Sequence, residues 1–266
     1  SQNSGDWVVF QNCHLGIPFL QHLHLWAQQG SGTGENKDNA EFRIFLTCEP
    51  TPEFPISLLE RCLKLTNEPP QGMAAAMKKA STWLSQDSYE MFRRAEWKPM
   101  MYALCYYHSS LLERRKYGSQ GWTIRYQFSE GDFHASLMFL QNYVGSIGDH
   151  AKKGNPIAWD GVRFMIGDIQ YGGRVTNTQD RITLQAVTEK LFGPKLTEKG
   201  YNLCQELQKF PIPEANDITQ FKALIAPMFS MHEPPQVVGL HGNAEVTHRA
   251  QQSDLVLTTI LNVQPR

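Results

Sequence analysis

Two short, largely apolar runs set the first limit on this chain's fold. Trp7-Val-Val-Phe10 and Phe42-Arg-Ile-Phe-Leu-Thr47 are too short for core helices and are bounded by turn residues. Runs of that kind suit strands covered on both faces, as in a parallel sheet. Between them Ile17 to Ala27 carries Leu20, Leu23 and Ala27 at helical spacing. The glycines Gly30, Gly32 and Gly34 and the polar residues Glu35–Asn39 then read as a loop. Glu49-Pro-Thr-Pro52 stops the second run, and Pro55 stands where a helix over Leu58, Leu59 and Cys62 begins. Leu63–Thr66 reads as a third short strand. Strand, helix, strand, helix in that order is a right-handed parallel α/β unit.

After Asn67-Glu-Pro-Pro70 the character changes to helix. Helices are expected at Met73–Leu84, Trp97–Lys116, Ser129–Val144, Ile157–Ile169, Gln179–Phe192, Ile218–Phe229 and Ser253–Leu261. In the second of these, Met101, Leu104, Cys105, His108, Leu111 and Leu112 form an apolar stripe. Trp122–Phe128 reads as an extended aromatic piece. Ser129 followed by Asp132 is an N-terminal capping pattern, and Thr178 is the expected cap of its helix. Pro211 and Pro213 open a looser tail. The fold class is therefore mainly α with a small α/β part: 1–68 a partial parallel sheet unit, 69–266 helical. Two or three strands are too few to close a core, so 1–68 reads as the later half of a larger sheet domain.

Composition narrows the function. Lys+Arg number 25 against 26 Asp+Glu, a net charge of −1, which offers no basic stripe for nucleic acid or a membrane surface. No apolar run approaches the roughly 18–20 residues of a spanning helix, and Ser1–Asp6 carry no signal-peptide pattern. Five cysteines without metal-site spacing fit free thiols in a reducing compartment. A phosphate-cradling Gly-x-x-x-x-Gly-Lys-Ser/Thr run is absent, and Lys37 does not complete one. His22 and His24 would point to different helix faces, and Cys13-His14 sits beside a buried strand, where a thiol is inert. Glu113-Arg-Arg-Lys116 reads as a solvated helix end, with a protein interface as the sharper alternative. Gly172-Gly173 permits a tight turn, and Arg174 is expected to pair with Asp168 or Asp180.

Several longer motifs carry a resemblance. Trp7-Val-Val-Phe-Gln-Asn-Cys-His-Leu15, Phe42-Arg-Ile-Phe-Leu-Thr-Cys-Glu-Pro50 and Lys64-Leu-Thr-Asn-Glu-Pro-Pro-Gln-Gly72 occur in that order. Trp97-Lys-Pro-Met100, Glu113-Arg-Arg-Lys-Tyr-Gly118, Gly121-Trp122, Tyr171-Gly-Gly-Arg-Val-Thr176, Val238-Gly-Leu-His-Gly-Asn-Ala-Glu-Val246 and Thr259-Ile-Leu-Asn-Val-Gln-Pro265 follow. Together they resemble the dynein heavy chain over essentially the whole length, in variants most similar to axonemal outer-arm chains of the gamma type. The resemblance implies the sixth AAA+ module of a motor ring: the later half of its large subdomain, then its helical lid.

What the family's pattern implies for single residues follows from that placement. In an active module two acids close the first strand, one holding Mg²⁺ and one orienting water. Gln11 and Asn12 stand at these Walker B positions, and an amide is a poor Mg²⁺ ligand beside a carboxylate and cannot serve as a general base at neutral pH. The module is therefore expected to be non-catalytic, with no cofactor of its own; ATP and Mg would lie in other modules. Thr47 occupies a sensor-like position. Asn67 and Glu68 are hinge candidates, and Arg61, Arg114, Arg115 and Arg174 are ring-interface candidates. Expected partners are neighbouring modules and the C-terminal region of the same heavy chain, with microtubules and other dynein subunits reached through the parent, and no nucleic acid or membrane. The expected location is cytoplasmic and cytoskeletal, in the axoneme of a cilium or flagellum. A helical adaptor binding a partner through 73–230, or an independent AAA+ ATPase, are the alternatives.

Overall fold

A computed structural model describes residues 4–29, 41–66, 71–148, 156–198, 200–207, 209–215, 217–228 and 233–263. The chain divides into two compact units, Ser1–Glu68 and Pro69–Arg266. The Gly30–Asn39 loop and the hinge candidates Asn67 and Glu68 lie outside the described residues.

In the first unit β1 (Trp7–Phe10) leads through a 3-10 turn at Cys13–Leu15 into α1 (Ile17–Gln29). β2 (Arg43–Leu46) and α2 (Ile56–Arg61) follow. The strands pair in parallel, with Trp7 opposite Arg43 and Phe10 opposite Leu46. Cys13, Leu20, Leu23, Phe54 and Leu58 form the core, and Phe10, Ile44 and Leu46 pack on it. Among the described residues one face of the strands is covered. Trp7 is 69% exposed and Val9 54%, because successive side chains alternate across a strand. Leu63–Thr66 is not a strand. No described neighbour offers it a hydrogen-bonding ladder, and Leu63 and Leu65 are exposed.

The second unit is built around α5 (Trp97–Glu113), with α3 (Met73–Thr82) and the short α4 (Gln86–Glu90) preceding it. α5 is buried on every side from Met100 to Leu111, so the expected stripe understates it: this helix is the centre of the unit, not a wall. A 3-10 turn at Arg114–Gln120 ends it. α6 (Glu130–Ile147) begins with the expected capping box, in which Asp132 accepts the Ser129 N–H at 2.8 Å. Trp122–Phe128 forms no strand, yet Trp122, Tyr126 and Phe128 are buried, and Phe128 lies 5.7 Å from the Tyr171 ring.

α7 (Trp159–Arg163) continues as π-helical turns over Phe164–Tyr171. α8 (Thr178–Leu191) is capped by Asn177 rather than by Thr178; the Asn177 Oδ1 accepts N–H groups of Gln179 and Asp180 at 2.8 and 3.2 Å. Asn177 is the last residue with extended backbone, so Thr178 is already inside the helix. Just ahead of the expected loose tail, β3 (Asn202–Cys204) and β4 (Lys209–Pro211) form a small antiparallel hairpin. α9 (Ile218–Met228) and α10 (Asn243–Val263) complete the unit. No helix among the described residues is long and apolar enough to cross a membrane.

Candidate functional site

The sequence directs attention to the end of β1, where a phosphoryl-transfer module would carry its acids. The chain leaves the strand at Gln11, which is exposed, and turns at Asn12, which adopts the left-handed conformation at φ 55°, ψ 44°. Asparagine and aspartate both tolerate that conformation, so the backbone does not demand the amide. Thr47, one residue beyond β2, braces the turn with three groups. Its N–H donates to the Phe10 carbonyl at 3.0 Å and its carbonyl accepts the Cys13 N–H at 2.9 Å. Its hydroxyl oxygen accepts the Asn12 N–H at 3.1 Å. Gln11, Asn12 and Thr47 are thus brought together, with Thr47 committed to holding the turn.

The chemistry of this turn is neutral. Two amides are followed by Cys13, whose thiol donates to the Phe10 carbonyl at 3.3 Å. Burial, reinforced by Cys48, pushes that thiol up and away from the reactive thiolate. The His14 Nδ1 accepts the Glu49 N–H at 3.1 Å, so the imidazole also serves the backbone. Arg61 stands apart from the turn, at the end of α2. Its guanidinium donates to the Ala27 carbonyl at 3.3 Å, in the last turn of α1, where a cation suits the helix dipole.

The arginines of the helical unit separate clearly. Arg114 is 3% exposed, which corrects the solvated-run reading and removes it from any outer surface. Its guanidinium donates to the carbonyls of Val238 at 2.7 Å and Gly121 at 3.3 Å and lies over the Trp122 ring at 5.2 Å. Burial pulls it down to about 10, against the opposing field of Asp180, so it stays charged at neutral pH. Arg115 is half-buried. Arg174 pairs with Asp132 at 2.9 Å instead of with Asp168 or Asp180. Those two carboxylates are engaged elsewhere: Asp168 accepts the Gln185 amide, and Asp180 accepts the Thr123 and Ile124 N–H groups and the Tyr126 hydroxyl.

Two family models match these units. A model of the dynein heavy chain region D6 P-loop domain matches residues 1–66, and a model of the dynein heavy chain AAA lid domain matches residues 97–244. The chain belongs to the dynein heavy chain family. Dynein axonemal heavy chain 8 of Homo sapiens is 39% identical over 266 residues, which is 100% of this chain and 6% of that protein. Dynein axonemal heavy chain 5 of Mus musculus is 38% identical over 99% of the chain and 5% of its own length. The dynein gamma chain of the flagellar outer arm of Chlamydomonas reinhardtii is 33% identical over 98% of the chain and 6% of its own length. The chain therefore spans about one-twentieth of the length of these relatives. Within the family the first unit belongs to the D6 P-loop region and most of the second to the lid.

Sequence reasoning missed Glu113 and Asp180 as buried, working carboxylates. Asp180 stands in the first turn of α8, but its bonds from Thr123, Ile124 and Tyr126 span 57, 56 and 54 residues and left no local signal. For Glu113 the Lys116 pair, three residues on, was open to a local reading, but its bond from the Gly72 N–H, 41 residues away, was not.

Proposed function

We propose that this chain is a non-catalytic ring segment of an axonemal dynein heavy chain, an ATP-driven microtubule motor. It closes and couples the AAA+ ring and neither binds nor hydrolyses ATP itself. The observation that carries this reading is the neutral turn at the end of β1. Gln11 and Asn12 occupy the acid positions, and the Thr47 hydroxyl oxygen accepts the Asn12 backbone N–H. An amide is a poor Mg²⁺ ligand beside a carboxylate and cannot take a proton from water as a general base at neutral pH. The relatives' names, axonemal and flagellar outer-arm, support an axonemal setting. In that setting ATP and Mg²⁺ are held by other modules, and this segment's partners are neighbouring modules and the C-terminal region of the same heavy chain. Microtubules and other dynein subunits are reached through the rest of the motor.

The test is titration of the chain with a fluorescent ATP analogue in Mg²⁺, alongside a phosphate-release assay. The expected outcome is no saturable signal and no release above buffer. Saturable micromolar binding that disappears with EDTA overturns the reading.

A further inference from the structure

Two adjacent residues at the end of α5 hold the two ends of the helical unit. Glu113, buried, accepts the Gly72 N–H on its Oε1 at 2.8 Å. Lys116 lies 3.2 Å from the other carboxylate oxygen. Gly72 is the residue before α3, with φ +89°, close to the point where the helical unit begins at Pro69. The carboxylate thus fixes the place where the chain enters this unit. Its neighbour Arg114 donates to the Val238 carbonyl at 2.7 Å, five residues before α10. The turn that follows Arg114 also touches α10 itself. The Tyr117 ring lies 5.4 Å from the His248 ring, and the Gln120 amide donates to the Thr247 hydroxyl at 3.1 Å.

The turn between these anchors has little freedom to yield. A Cβ on Gly121 would lie 1.8 Å from the Arg114 carbonyl oxygen, so the stretch closes back on its own start. The Arg114 Nε donates to the Gly121 carbonyl at 3.3 Å and ties the same closure with a charged group. A closed, charge-assisted turn pinned by the buried Arg114 and Tyr117 passes a displacement on more readily than it absorbs one.

We infer that residues 113–121 are a relay coupling the entrance of the helical unit at Gly72 to its exit at α10, so that loosening either end loosens the other. Glu113 and Arg114 act as positioning residues. The relay rests on the helical unit alone and is independent of whether the first unit binds nucleotide. Such a coupling is reciprocal by linkage, and that reciprocity separates it from two unrelated caps.

Hydrogen exchange followed by mass spectrometry on the 266-residue chain tests it. Glu113→Leu removes the acceptor for Gly72, Glu113→Gln keeps one, and the paired change Gln120→Ala with His248→Ala removes the Thr247 bond and the Tyr117 ring contact at α10. The relay requires Glu113→Leu to speed exchange about fivefold or more both at residues 72–76 and at residues 244–251. The paired change must speed exchange at 72–76 as well, and Glu113→Gln must do less at both ends. Amides of α6 and α8 keep their rates in every variant. Faster exchange confined to the altered end, or an equal rise throughout the unit, overturns the inference. If Glu113→Leu does not fold, the α10 pair and Glu113→Gln still decide it.

Discussion

His108 shows how a single buried residue sets a pH dependence. It lies inside α5 with its Nδ1 2.9 Å from the Tyr171 hydroxyl and its ring edge-on to Trp83 and Phe133. Burial pulls its imidazole down to about 4, more than the carboxylates Asp132 and Glu130 raise it, with Lys79 and His134 adding to the fall. Unfolded, the same ring titrates near 6.5. Between these values the unfolded chain binds a proton that the folded chain refuses, so stability falls as pH drops from about 6.5 to about 4. The full loss is about 3 kcal/mol. Asp180 acts in a lower window. Burial pushes its carboxyl up, but the Thr123 and Ile124 N–H groups and the Tyr126 hydroxyl outweigh that and hold it below its ordinary value. Its stabilisation is present above about 3.9 and is lost as pH falls through the lowered folded value. Thermal melts from pH 7 to pH 4.5 therefore show a declining midpoint, and His108→Gln flattens the decline even if its overall stability is lower. An unchanged slope in that variant refutes the assignment.

The π-helical segment Phe164–Tyr171 depends on a small residue where it packs on α8. A Cβ at Gly167 would meet the Thr188 hydroxyl oxygen at 2.8 Å and its methyl at 3.0 Å. Thr188 cannot swing away cheaply: its hydroxyl bonds the Leu184 carbonyl at 2.7 Å and the Tyr107 hydroxyl at 2.9 Å inside the core. Gly167→Ala should cost about 1–3 kcal/mol by overpacking, read as a lower denaturant midpoint at unchanged slope. Gly173→Ala, where a Cβ meets nothing within 4 Å, should be near neutral in the same titration. Elements set by local signals were legible in the sequence, such as the capping box of α6, where Ser129 and Asp132 are three residues apart. The β3–β4 hairpin was not, since three-residue strands with Pro211 at an end and Phe210 at φ 66° break the usual strand rules. The first half of α10 was also hidden, because Asn243–Gln252 is largely polar and gains support from the Glu245–Arg249 pair at 2.7 Å, not from a stripe. At the candidate site the motif positions were legible, but the Thr47 brace joins residues 35 apart in sequence and could only be seen folded.

At the scale of the whole molecule, the two units have cores of very different size. The helical unit has a continuous core reaching from Met73 to Ala244, built on the fully buried α5. The α/β unit buries only Cys13, Leu20, Leu23, Phe54 and Leu58 among its described residues, and leaves Trp7, Val9 and Phe45 on an open strand face. A unit of some 60 residues is marginal even when its sheet is covered on both sides. Here about half of the apolar strand surface contributes little, since burial stabilises by roughly 25 cal/mol per Å² only where water is removed. The chain should therefore unfold in two steps rather than one. In a guanidinium titration followed by hydrogen exchange, amides of β1, α1 and β2 should lose protection at a concentration where those of α5, α6 and α8 are still protected. Fluorescence should agree: Trp7 and Trp26, already 69% and 38% exposed, report the first step weakly, whereas the buried Trp97 and Trp122 shift only in the second. A single midpoint shared by both sets of amides would mean that the small core draws its stability from the large one, and the two-step expectation would fall.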